Sequence, residues 1–193
     1  MEQSAVFRLV AGLGNPGREY TGTRHNVGFL VLDELARRAA CGFSFDTKWN
    51  SEVANCGGRA FMKPQTFMNL SGEAVAGYSR YFKLTREEVM IILDDASLPL
   101  GALRLRRSGT AGGHHGLESV LVHLGSEAVP RLRVGIGAPE GKQLHDHVLG
   151  KFDSSELPAL QEAVCRAADA FEYCNAHGLE AAMNQFNQKQ QEP

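Results

Sequence analysis

Between Glu88 and Asp94 the chain runs Val-Met-Ile-Ile-Leu without a polar residue. A strand-length run with no polar side belongs in the centre of a sheet, covered on both faces. Segments able to cover it stand on either side in the sequence. From Asn26 to Ala39, Val27, Leu30, Val31 and Leu35 fall at helical spacing. After Ser71, read as a helix cap with Glu73 in the first turn, Ala74, Val75, Tyr78 and Phe82 share a face. Leu117, Val120, Leu121 and Leu124 mark a short helix, residues 155–175 a longer one with Leu157, Leu160, Val164 and Phe171 on its stripe, and a last short helix ends near Phe186. The remaining strands are expected at Val6–Leu13, at 48–63 as a hairpin about Gly57-Gly58, at Leu103–Arg106 with one basic face, and at Arg131–Gly137. Strands alternating with helices predict an α/β fold, a twisted mixed and mostly parallel sheet flanked by helices, with residues 1–193 as a single domain.

Composition narrows the function classes. Hydrophobic residues at 43% and charged residues at 22% exclude a disordered chain. No apolar run nears the ~20 residues that cross a bilayer, and Met1-Glu2-Gln3-Ser4 does not open a secretory signal. Cys41, Cys56, Cys165 and Cys174 form no C-x-x-C pair and are read as reduced thiols, which places the chain in the cytoplasm. The net charge of −2 conceals a division. Residues 101–133 carry Arg104, Arg106, Arg107, Arg131 and Arg133 against Glu118 and Glu127, whereas residues 151–193 hold three basic residues against seven acids. A local basic block on a near-neutral chain suits phosphate binding at one face without general polyanion binding.

Gly12-Leu13-Gly14-Asn15-Pro16-Gly17 follows a strand and satisfies G-x-G-x-x-G, the form of a dinucleotide-binding turn. In such a site the helix begins inside the turn, so that its amides meet pyrophosphate. Here Pro16, Gly17, Tyr20, Gly22 and Thr23 intervene before helical periodicity begins, and Asp33 falls inside the helix, so this reading is set aside. Gly109–Gly116 lacks the Lys-Ser or Lys-Thr of a Walker loop, and no G-x-S-x-G occurs. His145-Asp146-His147 would offer two ligands from one strand face, a spacing common by chance, and no metal is expected there. His114 and His115 sit in a glycine-rich turn that exposes side chains to a substrate, and His25 opens a helix. Asp94 and Asp95 close the apolar strand at the edge where α/β sheets place functional groups, with Asn15, Asn26 and Asn69 in neighbouring turns. A carboxylate, a histidine and amides of this kind suffice for hydrolysis.

Taken together the motifs are far more specific. Val10-Ala11-Gly12-Leu13-Gly14-Asn15-Pro16-Gly17, Tyr20, Thr23-Arg24-His25-Asn26 and Gly28 resemble the opening of the bacterial-type peptidyl-tRNA hydrolases. In that family's order follow Lys63-Pro64-Gln65-Thr66-Phe67-Met68-Asn69-Leu70-Ser71-Gly72, Asp94-Asp95 before Leu98-Pro99, and Gly112-Gly113-His114. Arg131-Leu132-Arg133-Val134-Gly135-Ile136-Gly137, Val148-Leu149-Gly150-Lys151-Phe152 and Met183-Asn184-Gln185-Phe186-Asn187 complete a likeness over residues 8–187.

The resemblance implies hydrolysis of the ester joining a peptide to the 3′-terminal ribose of tRNA, with no metal or organic cofactor. By position, His25 would be the general base, and Asp94 would hold its other ring nitrogen. Asn69 would polarise the ester carbonyl, and Asn15 would favour blocked over free aminoacyl groups. Tyr20, Phe67, His114 and His115 would contact the CCA end, with Arg106 and Arg133 near the 5′-phosphate at the acceptor end. A monomer without an obligate protein partner or membrane is implied. Two departures stand out: His115 occupies a place usually held by Asn, and Asp95-Ala96-Ser97-Leu98-Pro99 lacks a second acidic residue before Leu-Pro. The alternative is a non-catalytic RNA-binding protein on the same fold, such as the organellar intron-splicing proteins that resemble this family. The joint presence of His25, Asp94, Asn15 and Asn69 favours the enzyme.

Overall fold

Seven strands form one mixed sheet in the order β2-β3-β4-β1-β5-β7-β6. They are β1 (Leu9–Gly12), β2 (Ser44–Asp46), β3 (Ser51–Cys56), β4 (Arg59–Pro64), β5 (Val89–Asp95), β6 (Leu103–Arg106) and β7 (Arg131–Gly135). The structure is a computed structural model and describes residues 7–139, 141 and 143–188; Met1–Ser4, Val6 of the first expected strand and Lys189 lie outside them. The central ladders β4·β1, β1·β5 and β5·β7 are parallel, and the outer ones, β2·β3, β3·β4 and β6·β7, are antiparallel. The mixed sheet is as expected, with its parallel part in the middle.

Period-two alternation sorts the central side chains into two layers. Leu9 and Ala11 of β1 pack with Val89, Ile91 and Leu93 of β5 on one side of the sheet. Val10, Met90 and Ile92 point to the other. Helices α2 (Ser71–Tyr81) and α3 (His115–Leu124) cover the first side. Helices α1 (Val27–Arg38), α5 (Leu157–His177) and α6 (Leu179–Phe186) cover the second. Each of the five residues of the Val89–Leu93 run is fully buried, which is what its lack of a polar side demands. A short helix, α4 (Leu144–Leu149), stands at the carboxyl end of the sheet.

The seat of α1 depends on a missing side chain. A Cβ on Gly28 would lie 2.6 Å from the carbonyl oxygen of Ile92 and 2.6 Å from both the nitrogen and the oxygen of Leu13. Glycine there lets the first turn of α1 rest on the backbone of β1 and β5, and this brings the residues just before it to the strand ends.

Several local expectations change. Cys41 and Cys56 are joined as a disulfide, their Cα atoms 5.9 Å apart, because the end of α1 meets the β3–β4 hairpin. Cys165 and Cys174 remain thiols, and burial pushes the Cys174 thiol up to about 12. Ser71 is the first residue of α2 rather than its cap, its hydroxyl donating to the Met68 carbonyl at 2.8 Å. His145-Asp146-His147 lies in helix α4, not on a strand, so the two rings do not share a face. His147 is buried against the Gly137 carbonyl at 2.8 Å, and His145 is exposed beside Asp146. After Gly17 come two 3-10 turns, Arg18–Tyr20 and Arg24–Asn26, before α1 starts, so no helix N-terminus faces the glycine turn as a dinucleotide site requires.

Candidate active site

A cleft of about 1110 Å³ opens at the carboxyl ends of the parallel strands, the position where open α/β sheets bind ligands. Asp94, near the end of β5, lies at its floor and is 3% exposed. The turn Arg24–Asn26 is pressed onto the floor by the Gly28 seat and fastened from outside. Arg24 makes two bonds to Glu156 at 2.7 and 3.0 Å and stacks on Phe152 at 4.6 Å. Its backbone N–H donates to the Gly150 carbonyl at 2.9 Å. His25 is thereby fixed with Nδ1 2.8 Å from Asp94 Oδ1.

A second imidazole reaches the same oxygen. His114 Nε2 stands 2.9 Å from Asp94 Oδ1, and the two rings are 4.9 Å apart. His114 is also the N-cap of α3, its Nδ1 accepting the Leu117 backbone N–H at 3.1 Å. That acceptor role assigns the proton to Nε2, so His114 donates to Asp94. Burial by itself would raise the Asp94 carboxyl. Hydrogen bonds from the His114 and His25 rings outweigh it, and Asp94 is held below the usual carboxylate range. The three donor atoms lie within 4.8 Å of one another, as metal ligands would. The donor set does not fit an ion, however, because both His114 nitrogens are engaged and the two imidazoles meet the carboxylate through N–H groups. His25 Nε2 has no partner among the described residues.

Amides build the opposite wall. Asn26 Oδ1 accepts the Asn15 backbone N–H at 2.9 Å, and Asn26 Nδ2 donates to the Asn15 carbonyl at 2.9 Å. The Asn15 side chain, so held, accepts the Met68 backbone N–H through Oδ1 at 2.8 Å. Its Nδ2 is left for the cleft. Asn69, in the 3-10 turn Met68–Leu70, and Phe67, 59% exposed, rise beside it. Tyr20 lines the rim, and His115, the first residue of α3, is exposed 3.6 Å from Glu118.

Arg133 reaches the cleft from β7, but its guanidinium is already engaged. It donates to Asp95 Oδ2 at 3.0 Å and to the Thr110 and Ala111 carbonyls at 3.3 Å. It therefore ties the β5 end to the glycine-rich turn that carries His114. Arg106 stands outside the cleft, in an adjoining hollow of about 310 Å³ that it shares with Arg104, Ser108, Thr110 and Arg133. Arg131, at its base, is buried against the Val129, Gly109 and Glu127 carbonyls, and burial lowers it to about 10.

The cleft thus gathers Asn15, Tyr20, His25, Phe67, Asn69, Asp94, His114, His115 and Arg133, with Arg106 next door. The supporting parts of Asn26, Met68, Arg24 and Glu156 were not foreseen. Arg24, Asn26 and Met68 stand inside the motifs without an assigned role, and Glu156 carried no signal.

The chain is similar to known proteins over nearly its whole length. The family model described as peptidyl-tRNA hydrolase matches residues 9–193. A peptidyl-tRNA hydrolase of Thermoanaerobacter sp. (strain X514) is 49% identical over 183 residues, covering 93% of this chain and 98% of its own. One from Akkermansia muciniphila is 46% identical over 184 residues, covering 95% and 97%. The crystal structure of peptidyl-tRNA hydrolase from Acinetobacter baumannii superposes with a TM-score of 0.88 at 33% identity, covering 97% of each chain.

Proposed function

The chain belongs to the peptidyl-tRNA hydrolase family, and from that premise we propose that His25 is the general base of its reaction. The enzyme hydrolyses peptidyl-tRNA, releasing peptide and tRNA. The 2.8 Å contact between His25 Nδ1 and Asp94 carries the reading, because it turns the unpartnered Nε2 toward the cleft. A water beside Nε2 gives up its proton as its oxygen attacks the ester carbonyl. Asp94, ionised and buried, steadies the imidazolium that forms. Asn69 donates to the carbonyl oxygen as charge develops there. Collapse of the tetrahedral intermediate breaks the bond to the 3′ oxygen, which takes the proton back from His25. No step asks for a metal or cofactor.

The acceptor end has a natural place beside this centre. Tyr20, Phe67 and His115 border the cleft for the CCA nucleotides, and the Arg106 hollow offers donors for the 5′-phosphate. In this reading residues 1–193 work as one unit, a monomer in the cytoplasm that needs no protein partner.

The test is turnover of N-acetyl-aminoacyl-tRNA. His25→Ala loses about 10²–10⁴ in kcat with tRNA binding retained. Asp94→Ala loses less, since the imidazole remains but is poorly oriented. Near-normal turnover by His25→Ala overturns the assignment.

A further inference from the structure

Asp94 Oδ1 is the acceptor for two imidazoles, and only one of them has a role in the reaction as described. The other, His114, is unusually constrained for a histidine in a substrate cleft. Its Nδ1 is filled by the Leu117 N–H at the start of α3. Protonation would set two N–H groups against each other at the positive end of a helix. These bonds leave Nδ1 as an acceptor and commit the Nε2–H to the carboxylate. A hydrogen bond donated to an ionised oxygen draws off part of the charge that the oxygen can offer elsewhere. The portion drawn off is portion that His25 does not receive.

We propose that His114 is a positioning residue that sets the basicity of His25 by occupying a share of the Asp94 carboxylate. With Asp94 serving His25 alone, the imidazolium would be stabilised more, and His25 would remain protonated, and idle as a base, to higher pH. With the share taken by His114, the base is neutral over a wider range while its orientation is kept. The other charged or titratable groups near the pair do not duplicate this function. Asp95 is bound to Arg133 at 3.0 Å, Tyr20 and His145 lie on the rim, and His115 is exposed beside Glu118. The inference rests on the base role of His25, but one of its two measurements, the imidazole titration by NMR, does not.

Two variants of the full chain separate the donor from the space it fills. His114→Leu keeps bulk, excludes water and removes the donor. His114→Gln loses the ring but can present an N–H at a reach similar to Nε2; both weaken the cap of α3. In His114→Leu, the acid limb of kcat/KM moves up by about half a unit to one unit. In His114→Gln it stays at the wild-type position. A side chain that merely held the turn would change the rates of both variants and move neither limb. Nitrogen-15 shifts of the imidazoles read the same quantity without turnover. His25 titrates higher in the Leu variant, and in the wild type His114 keeps the neutral Nε2–H form while His25 takes up its proton. An unmoved limb in His114→Leu overturns the proposal, as does an equal shift in both variants. Protonation of His114 alongside His25 in the wild type overturns it too, even should the Leu variant fail to fold. If His25→Ala retained turnover, the base assignment would fall while the NMR shift could still be read.

Discussion

Asn15 illustrates how a single side chain acquires a direction. Because Oδ1 is occupied by the Met68 N–H, the group offered to a substrate is the Nδ2 amide, a donor. A donor suits the carbonyl of a blocked amino group and opposes the ammonium of a free aminoacyl group, which nothing in this wall would neutralise. Asn26 braces Asn15 from behind, holding both of its backbone polar groups. Asn15→Asp therefore removes the donor and adds a charge attractive to ammonium. The ratio of kcat/KM for acetylated over free aminoacyl-tRNA is expected to fall by about tenfold or more, the equivalent of one hydrogen bond to a charged group. An unchanged ratio would take Asn15 out of this role.

At the scale of elements, α1 has two jobs, and different ends perform them. Its first turn carries the His25 segment to the strand ends by way of Gly28. Its last turns are tied to α5 through a charge network: Glu34 binds Arg37 and Arg38, and Arg38 continues to Asp169 and Glu172 at 2.7 and 2.9 Å. The hydrogen bond from Arg37, followed by that from Arg38, lowers the Glu34 carboxyl from 4.5 to about 2, against the effect of burial. A carboxylate whose folded-state value is depressed adds stability that is full above its unfolded value. That stability is lost as pH falls toward the folded value. Glu34→Gln is expected to cost about 1 kcal/mol at neutral pH, the exposure of Arg37 limiting the gain. The variant should also show a flatter loss of stability between pH 4.5 and about 2 than wild type. Urea unfolding across that window checks both; parallel curves would mean that the network does not couple to folding.

For the whole molecule, the Cys41–Cys56 bond closes a short loop between the end of α1 and the turn end of the β3–β4 hairpin. It lies at the end of α1 remote from His25, so it bears on unfolding rather than on the cleft. Cross-linking residues 15 apart restricts the unfolded chain by about 3 kcal/mol in the chain-entropy model. Addition of reductant is expected to lower Tm by several degrees and leave kcat unchanged. In the denatured, non-reduced protein two thiols, Cys165 and Cys174, should react with a thiol reagent. Four reacting thiols would show that the bond does not form in solution.

Residues in long elements announced themselves because burial repeats along the chain. The Val89–Leu93 run, the apolar face of α1 and the alternation of β6 each required a covered side, and the α/β class follows from them. Short exposed pieces had no such signal. Three-residue β2 has no buried face, and α4 is too brief for a stripe, which is why His145 and His147 read as neighbours on a strand. At the site, the chemical types of His25, Asp94, Asn15 and Asn69 were legible, since a motif states which groups are available. Which atom each group presents was not. That Asp94 serves two imidazoles, that Asn15 offers its nitrogen and that Arg133 is bound to Asp95 follow from contacts between residues 20 to 69 positions apart. A hydrogen bond consumes a specific lone pair or proton in three dimensions. The chain order lists the donors and acceptors, and only the packing of α1, α3 and β7 on the sheet decides which of them remain free.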